Sequence, residues 1–370
     1  MRAKHPREGL SFMKIDSLYS FTLSRLRDYL ADLGMARFGA DQVYDWVYRK
    51  YVFDPLNWNN VSKKIKDHFE AQLSSRLPRI VWQGTSSDGT KKFLLAFEDQ
   101  QSVEAVVIPA TNRLTLCLST QVGCAIGCTF CHTGTMGLKR NLNAGEIVGQ
   151  FLVVGQWLKE NTGEKLTNIV YMGQGEPLHN FQQTKTATEI FLEQKGLGLG
   201  QRKITLSTSG LVPQIERLGE FPPVNVAISL HSARNDIRTE LMPINKIYDL
   251  ERLFQAIKKI PLKAHRRITY EYLLIDGLNN GQEDVEALSN LLHQKESKIN
   301  LIPFNEHPGS TFKRPSNKNI IWFMDQMIKK GFTTTIRATK GQDILAACGQ
   351  LKSHLEDGKL NLWESQKIAD

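Results

Sequence analysis

The sequence predicts an α/β protein: an incomplete barrel of six parallel strands, preceded by an antiparallel strand group and a helical block. Three observations carry this. From about residue 114 to residue 304, apolar strand-like runs alternate with amphipathic helical stretches, the pattern of a parallel sheet with right-handed crossovers. Upstream, short runs of strand character are separated by turn residues such as Asp88-Gly89 and Asp99-Gln100. Before those, leucines recur at helical spacing. The chain has 370 residues and is 41% hydrophobic, enough to bury a large core, so one catalytic domain plus an accessory region fits. The expected division is a helical accessory domain at 1–85, an antiparallel β extension at 86–112, the α/β core at 113–352 and a C-terminal tail at 353–370.

In chain order, residues 22–76 read as helical. Leu23, Leu26, Leu30 and Leu33 form one apolar stripe that stops at Gly34. A second helix carries Val43, Trp46 and Val47, and a third, after Ser62, carries Ile65 and Phe69. Core packing is the main role of these apolar residues, with Arg25, Arg27, Arg49 and Lys50 as candidates for nucleic-acid contact. Strands follow at 91–98, 102–109 and 113–119. Helix then alternates with strand: 144–159 and 168–172, 184–194 and 203–207, 213–218 and 224–230, 250–259 and 268–275, 284–294 and 299–304.

Parallel α/β folds bind ligands at the carboxyl ends of their strands, and the unusual residues fall there. After the first strand comes Cys124-Ala125-Ile126-Gly127-Cys128-Thr129-Phe130-Cys131, a C-x3-C-x2-C spacing. Gly173-Gln174-Gly175-Glu176-Pro177 follows the second strand, Ser207-Thr208-Ser209 ends the third, Ser229-Leu230-His231 the fourth, and Asn305 the sixth. Three thiolates can hold three irons of an iron–sulfur cube and leave the fourth open to a small molecule. A disulfide role for this trio is disfavoured, because no apolar secretory region or membrane-crossing run is present and a reducing cytoplasm is expected. Zinc is the stronger competitor, since His132 could complete a Cys3His set. Structural zinc sites, however, draw paired ligands from two separated knuckles.

The 47 Lys+Arg against 38 Asp+Glu leave a charge of +9. Much of the excess sits in Lys139-Arg140, Arg202-Lys203, Lys258-Lys259, Arg266-Arg267 and Lys313-Arg314. Each pair alone reads as a solvated face. Together they favour a polyanion, and a nucleic acid over a membrane, since no basic amphipathic anchor or lipidation signal stands out.

The chain resembles the radical S-adenosylmethionine enzymes and, within them, the RlmN/Cfr family of RNA adenine methyltransferases, its RlmN branch most closely. The likeness rests on Ser119-Thr120-Gln121-Val122-Gly123-Cys124, the three-cysteine loop, Arg140-Asn141-Leu142, Met172-Gly173-Gln174-Gly175-Glu176-Pro177-Leu178 and Ser207-Thr208-Ser209-Gly210. It continues through Ser229-Leu230-His231, Leu241-Met242-Pro243-Ile244-Asn245, Asn300-Leu301-Ile302-Pro303-Phe304-Asn305 and Ala346-Ala347-Cys348-Gly349-Gln350-Leu351. The helical block also looks like the family's accessory, RNA-binding domain.

The resemblance implies a partial (β/α)6 radical SAM barrel and a 4Fe-4S cluster on Cys124, Cys128 and Cys131. It implies two S-adenosyl-L-methionine molecules per turnover, bound by Gly175, Glu176, Ser207, Ser229, Leu230, His231 and Asn305. By the same analogy Cys348 accepts a methyl group, Cys117 later closes a transient disulfide with it, and Glu104 accepts a proton. Without the resemblance, Cys117 and Cys348 would read as small buried hydrophobes. The implied substrates are an adenosine in the peptidyl-transferase region of 23S rRNA and the adenosine beside the anticodon of tRNA, methylated at carbon 2. That carbon is not nucleophilic, and a radical route avoids the barrier. An external flavodoxin- or ferredoxin-like electron donor and a cytoplasmic monomer complete the expectation. Two alternatives stay open: Cfr-type methylation at carbon 8 of the rRNA adenosine, and a zinc-stabilised RNA-binding protein without catalysis. His132 departs from the small residue often found beside the cluster.

Overall fold

The computed structural model describes residues 17–73, 77–263, 265–307 and 309–351, with the backbone of 355–356 and 359–360. Residues 1–16, the end of the predicted helical span at 74–76 and most of the expected tail lie outside the described residues.

The helical block forms as its leucine stripe predicts. Helix α1 (Leu23–Asp32) starts at Thr22, whose side chain accepts from the Arg25 amide, and it buries Leu23, Leu26 and Leu30. Helix α2 (Gly39–Tyr44) runs on into a wider turn over Asp45–Lys50, and α3 (Lys63–Leu73) packs Ile65 and Phe69 under the buried Trp58. Three of the four cations singled out for nucleic acid are engaged within the protein. Arg27 pairs with Asp41 at 2.6 Å, Arg49 donates to the Gln194 carbonyl at 2.7 Å, and Lys50 pairs with Asp45 at 2.8 Å.

Strands β1 (Arg79–Thr85), β2 (Lys91–Ala96), β3 (Ser102–Ala110) and β4 (Arg113–Cys117) pair antiparallel in sequence. The extension therefore starts at Arg79, inside the span assigned to the helical domain. A small antiparallel hairpin, β5 (Gln121–Gly123) with β6 (Leu138–Asn141), brackets the cysteine loop. Strand–helix alternation then runs through α4 (Ala144–Asn161), β7 (Asn168–Tyr171), α5 (Phe181–Leu192), β8 (Ile204–Thr208), α6 (Val212–Glu216) and β9 (Asn225–Ser229). It continues with α7 (Asn235–Leu241), α8 (Leu250–Ile257), β10 (Ile268–Leu274), α9 (Gln282–Leu291) and β11 (Ser297–Pro303).

The expected six parallel strands are all present, and a seventh follows: α10 (Asn317–Lys329) leads to β12 (Thr333–Ile336), parallel to β11. All ten strands of extension and barrel form one sheet, in the order β1-β2-β3-β4-β7-β8-β9-β10-β11-β12. One hydrophobic core joins this sheet to its helices and to the helical block. Its apolar area, removed from water at ~25 cal/mol per Å2, is the main stabilising term. Among the described residues no helix is long and apolar enough to cross a membrane.

Candidate active site at the carboxyl ends of the parallel strands

One cleft opens where the carboxyl ends of the strands converge. Its lining includes Cys124, Cys128, Cys131, Gly175, Glu176, Ser207, Ser229, His231 and Cys348. The loops that the sequence placed on one rim therefore do meet. Leu230, Asn305, Cys117 and Glu104 are buried and are not in that lining.

The cysteine loop is pinned on two sides. The Thr129 amide donates to the Leu241 carbonyl at 3.0 Å, and the Cys124 amide donates to the Gly137 carbonyl at 2.9 Å. Gly123, at φ +75°, sits where a Cβ would strike the Gly137 oxygen. Burial pushes the Cys124 thiol up to about 12, and it pushes Cys128 and Cys131 upward as well. Neighbouring cysteines and Glu176 add to the effect at Cys124 and Cys128. Three half-buried anionic sulfurs are unfavourable there unless a positive group sits among them, which is what the irons of a cluster supply. The donor set thus fits a cluster with one open iron. Among the described residues no three His, Cys, Asp or Glu side chains are gathered as ligands of a single metal ion. His132, the candidate fourth zinc ligand, stacks on His307 with centroids 5.0 Å apart, and its amide donates to the Gly349 carbonyl at 2.7 Å.

Glu176 braces the next loops. Its carboxylate accepts from the Leu178 amide at 2.9 Å and the Ser209 amide at 2.7 Å, tying the loop after β7 to that after β8. Burial pushes this carboxyl upward, and the Ser209 amide opposes the shift. Gly175, at φ +95°, passes so close to Gln121 that a Cβ would lie 2.5 Å from that residue's own Cβ. His231 takes a left-handed backbone at φ +60°, its Nδ1 accepts from the Leu273 amide at 3.1 Å, and its ring meets Phe130 edge-on at 4.8 Å. Burial and the nearby Arg238 hold its pKa down at about 3, so the ring is neutral with its proton on Nε2.

Cys348 is half-buried on a loop clamped from both sides. Asn305 Nδ2 donates to the Cys348 carbonyl at 3.2 Å, Gln350 Nε2 to the Glu306 carbonyl at 2.7 Å, and Thr133 Oγ1 to the Leu351 carbonyl at 2.6 Å. Asn305 thus meets the backbone of the methyl-carrier candidate. Cys117 ends β4 beneath this loop and packs with Val106, Ala346 and Leu351. Burial and the nearby Cys348 push its thiol up to about 12, and Arg337 opposes them. Glu104, on β3, is buried and pairs with Lys92 at 3.2 Å, and Lys92 also donates to the Leu345 carbonyl at 3.2 Å. An acidic residue in an alternating strand reads as exposed, but here Glu104 is buried and tied through Lys92 to the loop carrying Cys348.

Two arginines escape the sequence reading. Arg238 is fully buried and donates to the carbonyls of Leu230 at 3.2 Å and Ser209 at 2.8 Å, and to Asn245 Oδ1 at 2.6 Å. Arg337, just past β12, lines the cleft with Cys348 and Glu271, and its Nη1 lies 3.4 Å from Met172 Sδ. Its charged form is favoured first by Cys348 and then by Glu271 and Cys117.

Residues 118–292 match the radical SAM superfamily, whose enzymes carry a 4Fe-4S cluster and use S-adenosylmethionine, and residues 17–74 match the ribosomal RNA large subunit methyltransferase N-terminal domain. The chain is 45% identical over 341 residues to a dual-specificity RNA methyltransferase RlmN of Syntrophotalea carbinolica, covering 91% of this chain and 90% of the relative. It is 43% identical to the protein of that name from Syntrophobacter fumaroxidans, covering 90% and 96%. A crystal structure of a radical SAM methyltransferase from Sphaerobacter thermophilus superposes with a TM-score of 0.86 at 40% identity, covering 91% of this chain and 99% of that one. With the cleft, its three thiols and both matched regions in one molecule, the chain belongs to the RlmN family of radical SAM RNA methyltransferases.

Proposed function

We propose that this enzyme methylates carbon 2 of an adenosine in 23S rRNA and in tRNA, with Cys348 as methyl carrier, Cys117 as resolving thiol and Glu104 as proton acceptor. The observation that carries the reading is the position of Cys348: its loop is clamped between the cysteine loop and the end of β11, over the cleft that Cys124, Cys128 and Cys131 also line.

Cys124, Cys128 and Cys131 would hold the 4Fe-4S cluster, and the backbone at Gly175 and Glu176, the loops at Ser207 and Ser229-Leu230-His231, and Asn305 would orient S-adenosylmethionine. When bound, these groups supply the methyl group and the radical chemistry that an unactivated adenine carbon needs, with two S-adenosylmethionine molecules used per turnover. The protein's own part follows from its side chains. Cys348 takes the methyl group on sulfur, which requires thiolate character, and the Arg337 guanidinium lines the same cleft. Neutral His231 walls the cleft without adding charge. The Glu104 carboxylate takes the proton lost from carbon 2, and the substrate must bring that carbon within hydrogen-bond reach. The Cys117 sulfur then attacks the sulfur of Cys348, whose bond to the carbon now carried by the RNA breaks with the electron pair going to that carbon. The carbon takes up a proton, equal to the one Cys117 gives up, to become the methyl group, and a disulfide is left. An external reductant reopens it. The target adenosine must be unstacked to enter the cleft. We further read the enzyme as a cytoplasmic monomer served by a flavodoxin- or ferredoxin-like donor.

Mass spectrometry of the Cys348 peptide tests this. Wild-type protein from expressing cells should carry methyl-Cys348, and the Cys117→Ala variant should accumulate RNA joined covalently through Cys348. Unmodified Cys348 in cluster-loaded protein, with no adduct in the variant, would remove the carrier assignment. A nucleoside digest of the product RNA should give 2-methyladenosine, and 8-methyladenosine would instead identify the Cfr-type reaction.

A further inference from the structure

Three basic pairs noted in the sequence take no part in the cleft, yet the fold gathers them. Arg202-Lys203 lead into β8, Lys258-Lys259 close α8, and Arg266-Arg267 lead into β10. All three stand at the amino ends of the parallel strands, on the rim opposite the cleft. Hydrogen bonds link the neighbourhood: Arg266 Nη1 donates to Asn225 Oδ1 at 2.5 Å, Asn225 Nδ2 to the Arg202 carbonyl at 2.8 Å, and Lys263 Nζ to Gln201 Oε1 at 3.3 Å.

Between the starts of β10 and β11 this rim holds a concavity lined by Lys263, His265, Arg266, Arg267 and Lys295, with Glu296 as its one carboxylate. Among the described residues, Lys259 is neutralised by Glu216 at 2.7 Å, whereas Arg202, Lys203, Lys258, Lys263, Arg266, Arg267 and Lys295 form no ion pair. Arg267 Nη1 donates to Thr333 Oγ1 at 2.8 Å, so the contacts of these cations are to neutral groups. Gathering cations without acidic partners costs self-repulsion, which a polyanion relieves by releasing its counterions.

We propose that this amino-end rim is a second RNA contact, gripping phosphates of the same RNA whose adenosine enters the cleft. The inference rests on the RNA methyltransferase reading and adds a surface to it. The concavity offers cations and presents no Phe, Tyr or Trp for base stacking, so it suits the phosphodiester backbone of a structured RNA rather than splayed bases. The seven residues of β10 span roughly 23 Å between the two rims, so a short loop in the cleft does not reach the concavity and a folded RNA can. An acidic electron-donor protein is the competing partner, but it must approach the cysteine loop at the far end of the strands.

The test uses full-length protein carrying Lys263→Ala, Arg267→Ala and Lys295→Ala together, with Arg266 kept because it holds Asn225. Binding to a full-length unmodified tRNA transcript and to its isolated anticodon hairpin is measured across a salt series. For the full-length transcript the triple variant should bind about tenfold or more weakly, and its log–log salt dependence should be shallower by about 2. Binding and methylation of the hairpin should match wild type, which also shows that the variant is folded. Equal weakening for both RNAs, or an unchanged salt slope, would overturn the rim contact. Unchanged RNA binding with slower reduction by an acidic flavoprotein would overturn it as well and assign the rim to a protein. Failure of wild-type protein to methylate either RNA would instead count against the parent reading, while the binding comparison still judges the rim.

Discussion

Cys117 packs under the loop that carries Cys348, but the two thiols differ in exposure. Cys117 is buried with its thiol pushed up to about 12, whereas Cys348 opens on the cleft. Because the thiolate is the reactive form, iodoacetamide at neutral pH should label Cys348 at least about tenfold faster than Cys117, followed peptide by peptide. Equal labelling would contradict this arrangement. Arg337 opposes the upward shift of the Cys117 thiol, so Arg337→Met should slow disulfide closure and raise the amount of RNA joined through Cys348 by roughly tenfold, with Arg337→Lys reversing part of it. At this scale the sequence was legible where residue chemistry is unusual: three closely spaced cysteines, a Gly-Gln-Gly-Glu run, a Ser-Leu-His loop. Arg238, fully buried, and Arg337, half-buried, were not legible, because long cations read as solvated unless their partners are seen.

Arg238 fastens the loops after β8 and β9 to the Asn245 turn, bringing elements together that the sequence holds apart. Arg238→Met leaves the carbonyls of Ser209 and Leu230 without that donor, and urea unfolding should show a loss of about 3 kcal/mol. His231 acts on the same loops through protonation. Its folded pKa of about 3 lies below the ordinary value of 6.5, so the unfolded chain takes up the proton first. The residue therefore contributes stability that is present above pH 6.5 and lost as the pH falls towards 3. Glu176 and Glu271, pushed upward by burial, act in the opposite sense, so the measurable quantity is a difference. Wild type should lose stability more steeply than His231→Gln between pH 6.5 and 4 in parallel urea titrations. Parallel curves would mean that His231 is charged in the fold. Among the elements, β12 escaped notice because Thr333-Thr334-Thr335-Ile336 is short, polar and half-exposed, and β1 because its Arg-Ile-Val-Trp run followed directly on the helical block. The alternating units in between were legible from period alone.

Over the whole molecule, extension and barrel share one hydrogen-bonded sheet, with β4 paired antiparallel to β3 on one side and parallel to β7 on the other. They should behave as one cooperative unit. Native-state hydrogen exchange should give amides of β3 and β8 the same opening free energy, and an earlier, separate opening of β3 would show that the extension is its own domain. The basic composition foretold a polyanionic partner, but only topology could reveal that pairs some sixty residues apart share one rim.

The unbroken sheet also decides which partner bends. Glu104 lies on the extension and Cys117 on the first barrel strand, with no hinge between them, and the loop carrying Cys348 is bolted to both walls of the cleft. A protein built this way has little freedom to open a lid around a stacked base. The work of deformation falls on the nucleic acid, and RNAs whose target adenosine is already held out of its stack will be the ones modified fastest.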